Sequence, residues 1–123
     1  MAKRVLVVDD ELPLRELVQD VLLEAGLEVI TAADGQAALV EVIARPPDLV
    51  VMDVVMPGMD GLTALKTLRQ RPDTRDLPVI MLTSLASDLD VLRGWLRGVD
   101  CYLTKPFDPV VLAAMANRLL DVT

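Results

Sequence analysis

Residues 50–61 read Val50-Val51-Met52-Asp53-Val54-Val55-Met56-Pro57-Gly58-Met59-Asp60-Gly61, an almost unbroken apolar run with one carboxylate inside it and a turn directly after it. A β-branched run of that length predicts a strand buried on both faces. The acid near its end therefore needs a reason, because an unpaired buried carboxylate costs several kcal/mol or takes up a proton. The spacing places Asp53 at the mouth of a sheet, where a cation would keep it charged.

Outward from this strand the chain alternates. Towards the N-terminus, Lys3 to Val8 is a β-branched run stopped by Asp9-Asp10-Glu11. Pro13 suits the first turn of a helix whose apolar residues Leu14, Leu17, Val18, Val21, Leu22 and Ala25 recur at three and four, until Gly26 ends it. Glu28 to Ala32 is a second short strand. Asp34-Gly35 opens a helix with Ala38, Leu39, Val42 and Ile43 on one face, broken by Pro46-Pro47, and Asp48 to Val54 is the central strand itself. Beyond the Pro57-Gly58 turn, Leu62, Leu65 and Leu68 mark a third helix, followed by a polar loop around Arg71-Pro72-Asp73. Pro78 to Thr83 is a fourth strand. Ser87 or Asp88 can cap a fourth helix carrying Leu89, Leu92, Trp95 and Leu96, closed by Gly98. Cys101 to Thr104 is a short fifth strand, and Asp108 then caps a last helix with Pro109 at its first position and Val111, Leu112, Met115 and Leu119 along it. Strand and helix alternating five times with short connections predict an α/β fold, a doubly wound five-stranded parallel sheet with helices on both faces.

The totals narrow the functional classes. At 123 residues the sequence reads as a single domain over 1–123, with 53% hydrophobic and 25% charged residues, an ordinary globular balance. A net charge of −7 repels phosphate backbones and anionic lipid, so no direct nucleic-acid binding and no membrane association are expected of this domain. The single cysteine, Cys101, forms no intrachain disulfide. Met1-Ala2-Lys3-Arg4 runs straight into a strand without an export signal, and a cytoplasmic location is the expectation.

In a doubly wound sheet the binding crevice lies outside the carboxyl ends of the strands. Asp9 and Asp10 follow the first strand, Asp53 ends the third, Thr83 ends the fourth and Lys105 follows the fifth. Carboxylates converging there would repel by about 4 kcal/mol per pair at ~4 Å and an effective dielectric near ~20. Something positive must sit among them. With no histidine in the chain, oxygen is the ligand atom on offer, which suits a hard divalent cation such as Mg²⁺ that keeps waters and leaves room for a phosphoryl group. Lys105 and the Thr83 hydroxyl would face that anion from its other side.

Together, Asp9-Asp10, Asp53 with Met56-Pro57-Gly58-Met59-Asp60-Gly61, Thr83, and Tyr102-Leu103-Thr104-Lys105-Pro106-Phe107 closely resemble the receiver domain of two-component response regulators. The resemblance spans nearly the whole chain and implies a flavodoxin-like strand order 2-1-3-4-5. It implies that Asp53 is the phosphoacceptor, served by a sensor histidine kinase or phosphotransfer protein. Asp10, Asp53 and the backbone carbonyl of Val55 would ligate Mg²⁺ directly, and Asp9 through a water. Lys105 would hold a phosphoryl oxygen, Thr83 would move towards another, and Tyr102 would turn inward, repacking the surface of the fourth helix, fifth strand and fifth helix. A cis peptide at Lys105-Pro106 is implied too. The output would be a downstream effector or a fused domain, and a homodimer through that same surface is conceivable. Val55 and Leu85, two residues after Asp53 and Thr83, are apolar where many relatives carry side chains that admit a hydrolytic water, so a long-lived acyl phosphate is expected.

Singly, these residues have duller readings: Glu11 as a helix cap, Asp60 as a cap or turn residue, Tyr102 as a half-buried strand aromatic, Trp95 as packing and Cys101 as inert. Successive strand ends bearing acid, acid, threonine and lysine are not a chance surface pattern. Rival functions are weaker. A Mg²⁺-dependent phosphohydrolase with an aspartyl-phosphate intermediate would want an acid where Val55 stands, and a nucleotide or flavin carrier would want a glycine-rich loop and more than three aromatics. The expected protein is thus not an enzyme in the ordinary sense but a phosphoacceptor that slowly loses its own phosphoryl group.

Overall fold

The computed structural model describes residues 2–83 and 101–121. Strands β1 (Arg4–Val8), β2 (Glu28–Ala32), β3 (Leu49–Asp53), β4 (Val79–Thr83) and β5 (Cys101–Thr104) form one sheet in the order β2-β1-β3-β4-β5. Every pairing in it is parallel. Helices α1 (Leu12–Glu24), α2 (Gly35–Ala44), α3 (Gly61–Gln70) and α4 (Pro109–Leu119) complete the described elements. The helix expected between Ser87 and Gly98, with Ser84, Leu85 and Trp95, lies outside the described residues.

Strand alternation sorts the side chains into two cores. Leu6, Val8, Val50, Met52, Val79 and Met81 meet Ala38 and Val42 of α2 and Ala64, Leu65 and Leu68 of α3. Val5, Val7, Leu49, Val51, Ile80 and Leu82 meet Val18 and Leu22 of α1 and Leu112 and Ala116 of α4. The fully buried pattern of β3 follows, since a central strand covered on both faces has no solvent side to keep polar.

Local chemistry ends the helices where the sequence predicts. At the end of α1, Gly26 takes φ +85°, its N–H donates to Leu23 O, and Leu27 N–H donates to Leu22 O, a Schellman closure that hands the chain to β2. Asp34, Asp60 and Asp108 cap α2, α3 and α4, accepting from the N–H groups of Ala37, Thr63 and Val110. Asp60 is therefore a cap, and Gly58 supplies the positive φ of the turn before it.

The helical faces are narrower than periodicity suggested. Leu17 on α1, Ile43 on α2 and Val111 on α4 are exposed at 46%, 58% and 40%, because each lies at the shoulder of a stripe whose centre alone reaches the sheet. Ala64 of α3 and Ala116 of α4, which the expected stripes omit, are fully buried. Glu11 occupies the cap position of α1, but its side chain makes no capping bond; the Asp9 carboxylate accepts from the Glu11 N–H instead, at 2.9 Å. Among the described residues no helix is long and apolar enough to cross a membrane.

Candidate functional site

The two halves of the sheet wind in opposite directions from the boundary between β1 and β3, and at their carboxyl ends the strands deliver Asp9 and Asp53 side by side. Backbone bonds fix both. Asp9 N–H donates to Ala32 O at 3.2 Å, and past Asp53 the Val54 N–H donates to Leu82 O at 2.9 Å. Asp9 and Asp53 are 1% and 5% exposed, whereas Asp10, one residue out on the turn, is exposed. One carboxylate oxygen from each of the three lies within 4.8 Å of the others.

Lys105 reaches into this cluster from beyond β5. Its Nζ lies 2.9 Å from Asp53 Oδ2 and 3.3 Å from Asp9 Oδ2, and its side chain is only 14% exposed. Part of the positive charge demanded by the acids thus comes from the chain itself, and Lys105 is committed to carboxylates here. The Lys105 N–H donates to Thr83 O at 2.7 Å, which docks the lysine's backbone against the end of β4. The Lys105–Pro106 peptide is cis.

Three acids against one ammonium leave the pocket under-neutralised by count, and burial and charge together shift the titration of Asp53 and Lys105. Burial, above all, raises the Asp53 carboxyl above its ordinary value; the hydrogen bond and charge of Lys105 oppose this and the charge of Asp9 adds to it. Burial also works against the Lys105 ammonium, but the hydrogen bond and charge of Asp53, followed by Asp9, outweigh it and leave the lysine pKa raised. Burial thus makes Asp53 hold its proton more tightly, and the neighbouring carboxylates do the same for Lys105. An oxygen-only set with a charge deficit of this kind fits a small hard dication.

The remaining expected residues fall around the pocket at different distances from its centre. Thr83 is fully buried at the end of β4, paired in register with Thr104 and one position beyond the Asp53–Leu82 pair. The Val55 N–H donates to Asp53 Oδ1 at 3.3 Å, while the Val55 side chain is 52% exposed beside the phosphoacceptor candidate. Tyr102 is half-buried, packed against the cluster beneath α2 and α3. Cys101 is half-buried with Arg118 Nη2 3.7 Å from its sulfur.

Two features escaped the sequence reading. Arg15 Nη1 donates to the Asp9 carbonyl at 2.9 Å, tying α1 to the acidic turn. Its signal was a cation at the positive end of a helix, where acids are favoured. Gly61 starts α3 so close to β3 that a side chain there would strike the carbonyl oxygen of Asp53 and the Met81 methyl. A glycine at the first helical position marks such a close approach.

Sheet order and pocket define a flavodoxin-like α/β domain with an acidic cleft at its topological switch point. Residues 5–117 match the response regulator receiver domain, and the chain belongs to that family. It is 42% identical over 120 residues to the phosphate regulon transcriptional regulatory protein PhoB of Escherichia coli (strain K12), covering 98% of this chain and 52% of that protein. The chain spans about half the length of the curated relatives it matches first. Among solved structures it resembles a response regulator of Chloroflexus aurantiacus with a TM-score of 0.91 and 37% identity, covering 98% of this chain and 99% of that one. The chemotaxis response regulator CheY4 of Vibrio cholerae superposes with a TM-score of 0.87 at 35% identity, over 97% and 99% of the two chains. The chain is accordingly a response regulator receiver domain, the regulatory phosphoacceptor module of two-component phosphorelay signalling.

Proposed function

We propose that this receiver works as a phosphorylation-controlled binding switch with Asp53 as phosphoacceptor, supplied by a phosphohistidine on a sensor histidine kinase or phosphotransfer protein. The observation that carries the reading is a nearly buried carboxylate with Lys105 Nζ at 2.9 Å and two further acids beside it. An Asp53 carboxylate oxygen bonds to phosphorus as the bond from phosphorus to the donor imidazole nitrogen breaks, and the electron pair stays on that ring. An acyl phosphate results. Such transfers ask mainly for positioning and charge neutralisation from the protein.

Asp10 and Asp53, with the backbone carbonyl of Val55, would hold Mg²⁺, and Asp9 would reach it through a water. When bound, the cation offsets charge on the transferring group. Lys105 then exchanges a carboxylate partner for a phosphoryl oxygen, keeping its charge compensated throughout. Thr83 takes another phosphoryl oxygen through its hydroxyl, and Tyr102 follows into the space behind it. The surface so changed would comprise β5 and α4, with the helix expected from the sequence between Ser87 and Gly98. It would be read by a separate effector or a fused output domain, with homodimerisation through the same surface as one mode of output. The setting for this cycle would be the cytoplasm.

Acetyl phosphate with Mg²⁺ tests the assignment by intact mass. The wild-type chain should gain one phosphoryl group, labile to hydroxylamine, and Asp53→Asn should gain none; labelling of that variant would refute the role of Asp53. The apolar Val55 side chain, exposed beside Asp53, carries no polar group that could orient a hydrolytic water. A Val55→Asn, Leu85→Glu double variant should therefore release phosphate at least several-fold faster, which a phosphate-release time course measures.

A further inference from the structure

Arg15 lies one turn into α1 and sends its guanidinium back to the strand end, where Nη1 donates to the carbonyl oxygen of Asp9 at 2.9 Å. A cation beside a helix N-terminus meets the positive end of the macrodipole, so the position is unfavourable for the helix itself. The bond to the strand end offsets it. The oxygen so held belongs to the planar peptide that joins Asp9 to Asp10, and fixing that plane fixes the direction in which Asp10 leaves it.

The two neighbouring acids are secured very differently. Asp9 is tied at its N–H by Ala32 O, at Oδ1 by the Glu11 N–H and at Oδ2 by Lys105. Asp10 is exposed on the turn, yet one of its carboxylate oxygens stays within 4.8 Å of those of Asp9 and Asp53. Repulsion among like charges favours swinging the exposed member outward. We propose that Arg15 is a positioning residue that aims Asp10 into the acidic pocket, acting through the Asp9–Asp10 peptide. It touches no ligand, and the proposal rests on the Mg²⁺ site proposed above.

Calorimetric Mg²⁺ titration of the full chain without a phosphoryl donor, beside thermal melts in metal-free buffer, tests this. Removing partners that orient metal ligands costs roughly tenfold or more in affinity, and Arg15→Gln should bind Mg²⁺ about tenfold more weakly. Arg15→Lys keeps a donor without the planar fork and should lose about two- to threefold, which carries the test if the glutamine variant does not fold. In an Asp10→Asn background neither substitution should weaken Mg²⁺ further, since the group being aimed is already gone. A purely structural role would lower the metal-free melting temperature and leave affinity alone. Unchanged affinity in both Arg15 variants, or an undiminished loss in the Asp10→Asn background, overturns the proposal while leaving the site standing. Failure of the wild-type chain to bind Mg²⁺ overturns the site and the proposal together.

Discussion

Lys105 and Arg45 each hold a carboxylate at 2.9 Å, one in the pocket and one on the surface of α2, yet the two contacts do different things. The Arg45–Glu41 pair spans one helical turn with its guanidinium largely in water, where salt screens the attraction and two long side chains lose freedom to make it. The Lys105–Asp53 pair is nearly dry, so its attraction is larger and so is the cost of removing both charges from water. Asp53 shows where that balance falls: even with an ammonium alongside, burial leaves its pKa raised. Distance alone distinguishes nothing. The buried contact is held in a high-energy arrangement suited to accepting a further charged group, while the exposed one adds slightly to the stability of a helix.

The comparison breaks most visibly at Lys105. Lys105→Met leaves Asp9 and Asp53 buried without their cation and should lower unfolding free energy by about 3 kcal/mol, read from urea denaturation, besides abolishing labelling by acetyl phosphate. A loss below that of a surface pair would show that the pocket is wetter than its geometry. The middle effect belongs to Asp53 and pH. Its folded pKa lies above the ordinary 3.8, so the charged form costs stability, fully above the folded pKa, and the cost is relieved as pH falls through it. Asp53→Asn should melt a few degrees higher than wild type at pH 7, the scale of about 1 kcal/mol in a domain of this size, with the advantage shrinking in acid. Lys105 has the opposite sign: its raised pKa adds stability fully present below 10.5, lost as pH rises through the folded value. The smallest effect sharpens the surface side. Glu41→Gln should cost no more than about 0.5 kcal/mol, and molar salt should erase it.

Much of this architecture was legible from spacing. Apolar runs of about five residues between helix-period segments imply a parallel sheet, and polar residues at successive strand ends imply a common pocket. The strand order came from likeness to a family, because hydrophobic periodicity carries no information on which strands are neighbours. Helix faces were overdrawn at Leu17, Ile43 and Val111 because a pattern counts apolar residues and not how far a flat sheet reaches around a cylinder. Lys105 was expected to face a phosphoryl oxygen; that its Nζ bridges Asp9 and Asp53, 96 and 52 positions away along the chain, was not legible from spacing. Arg15 gave only the signal of a cation in the first turn of a helix; its partner is a backbone oxygen, and main-chain acceptors leave no mark on the sequence.

Gly61 carries a mechanical implication. With hydrogen as its only substituent, the start of α3 rests on the carbonyl of Asp53, and its own N–H donates to Val54 O at 2.8 Å. No slack separates the Asp53 backbone from the third helix. Any adjustment of β3 at that residue is passed rigidly to a rod about 15 Å long, whose far end lies well away from the acids and can be felt by a neighbour that never comes near them.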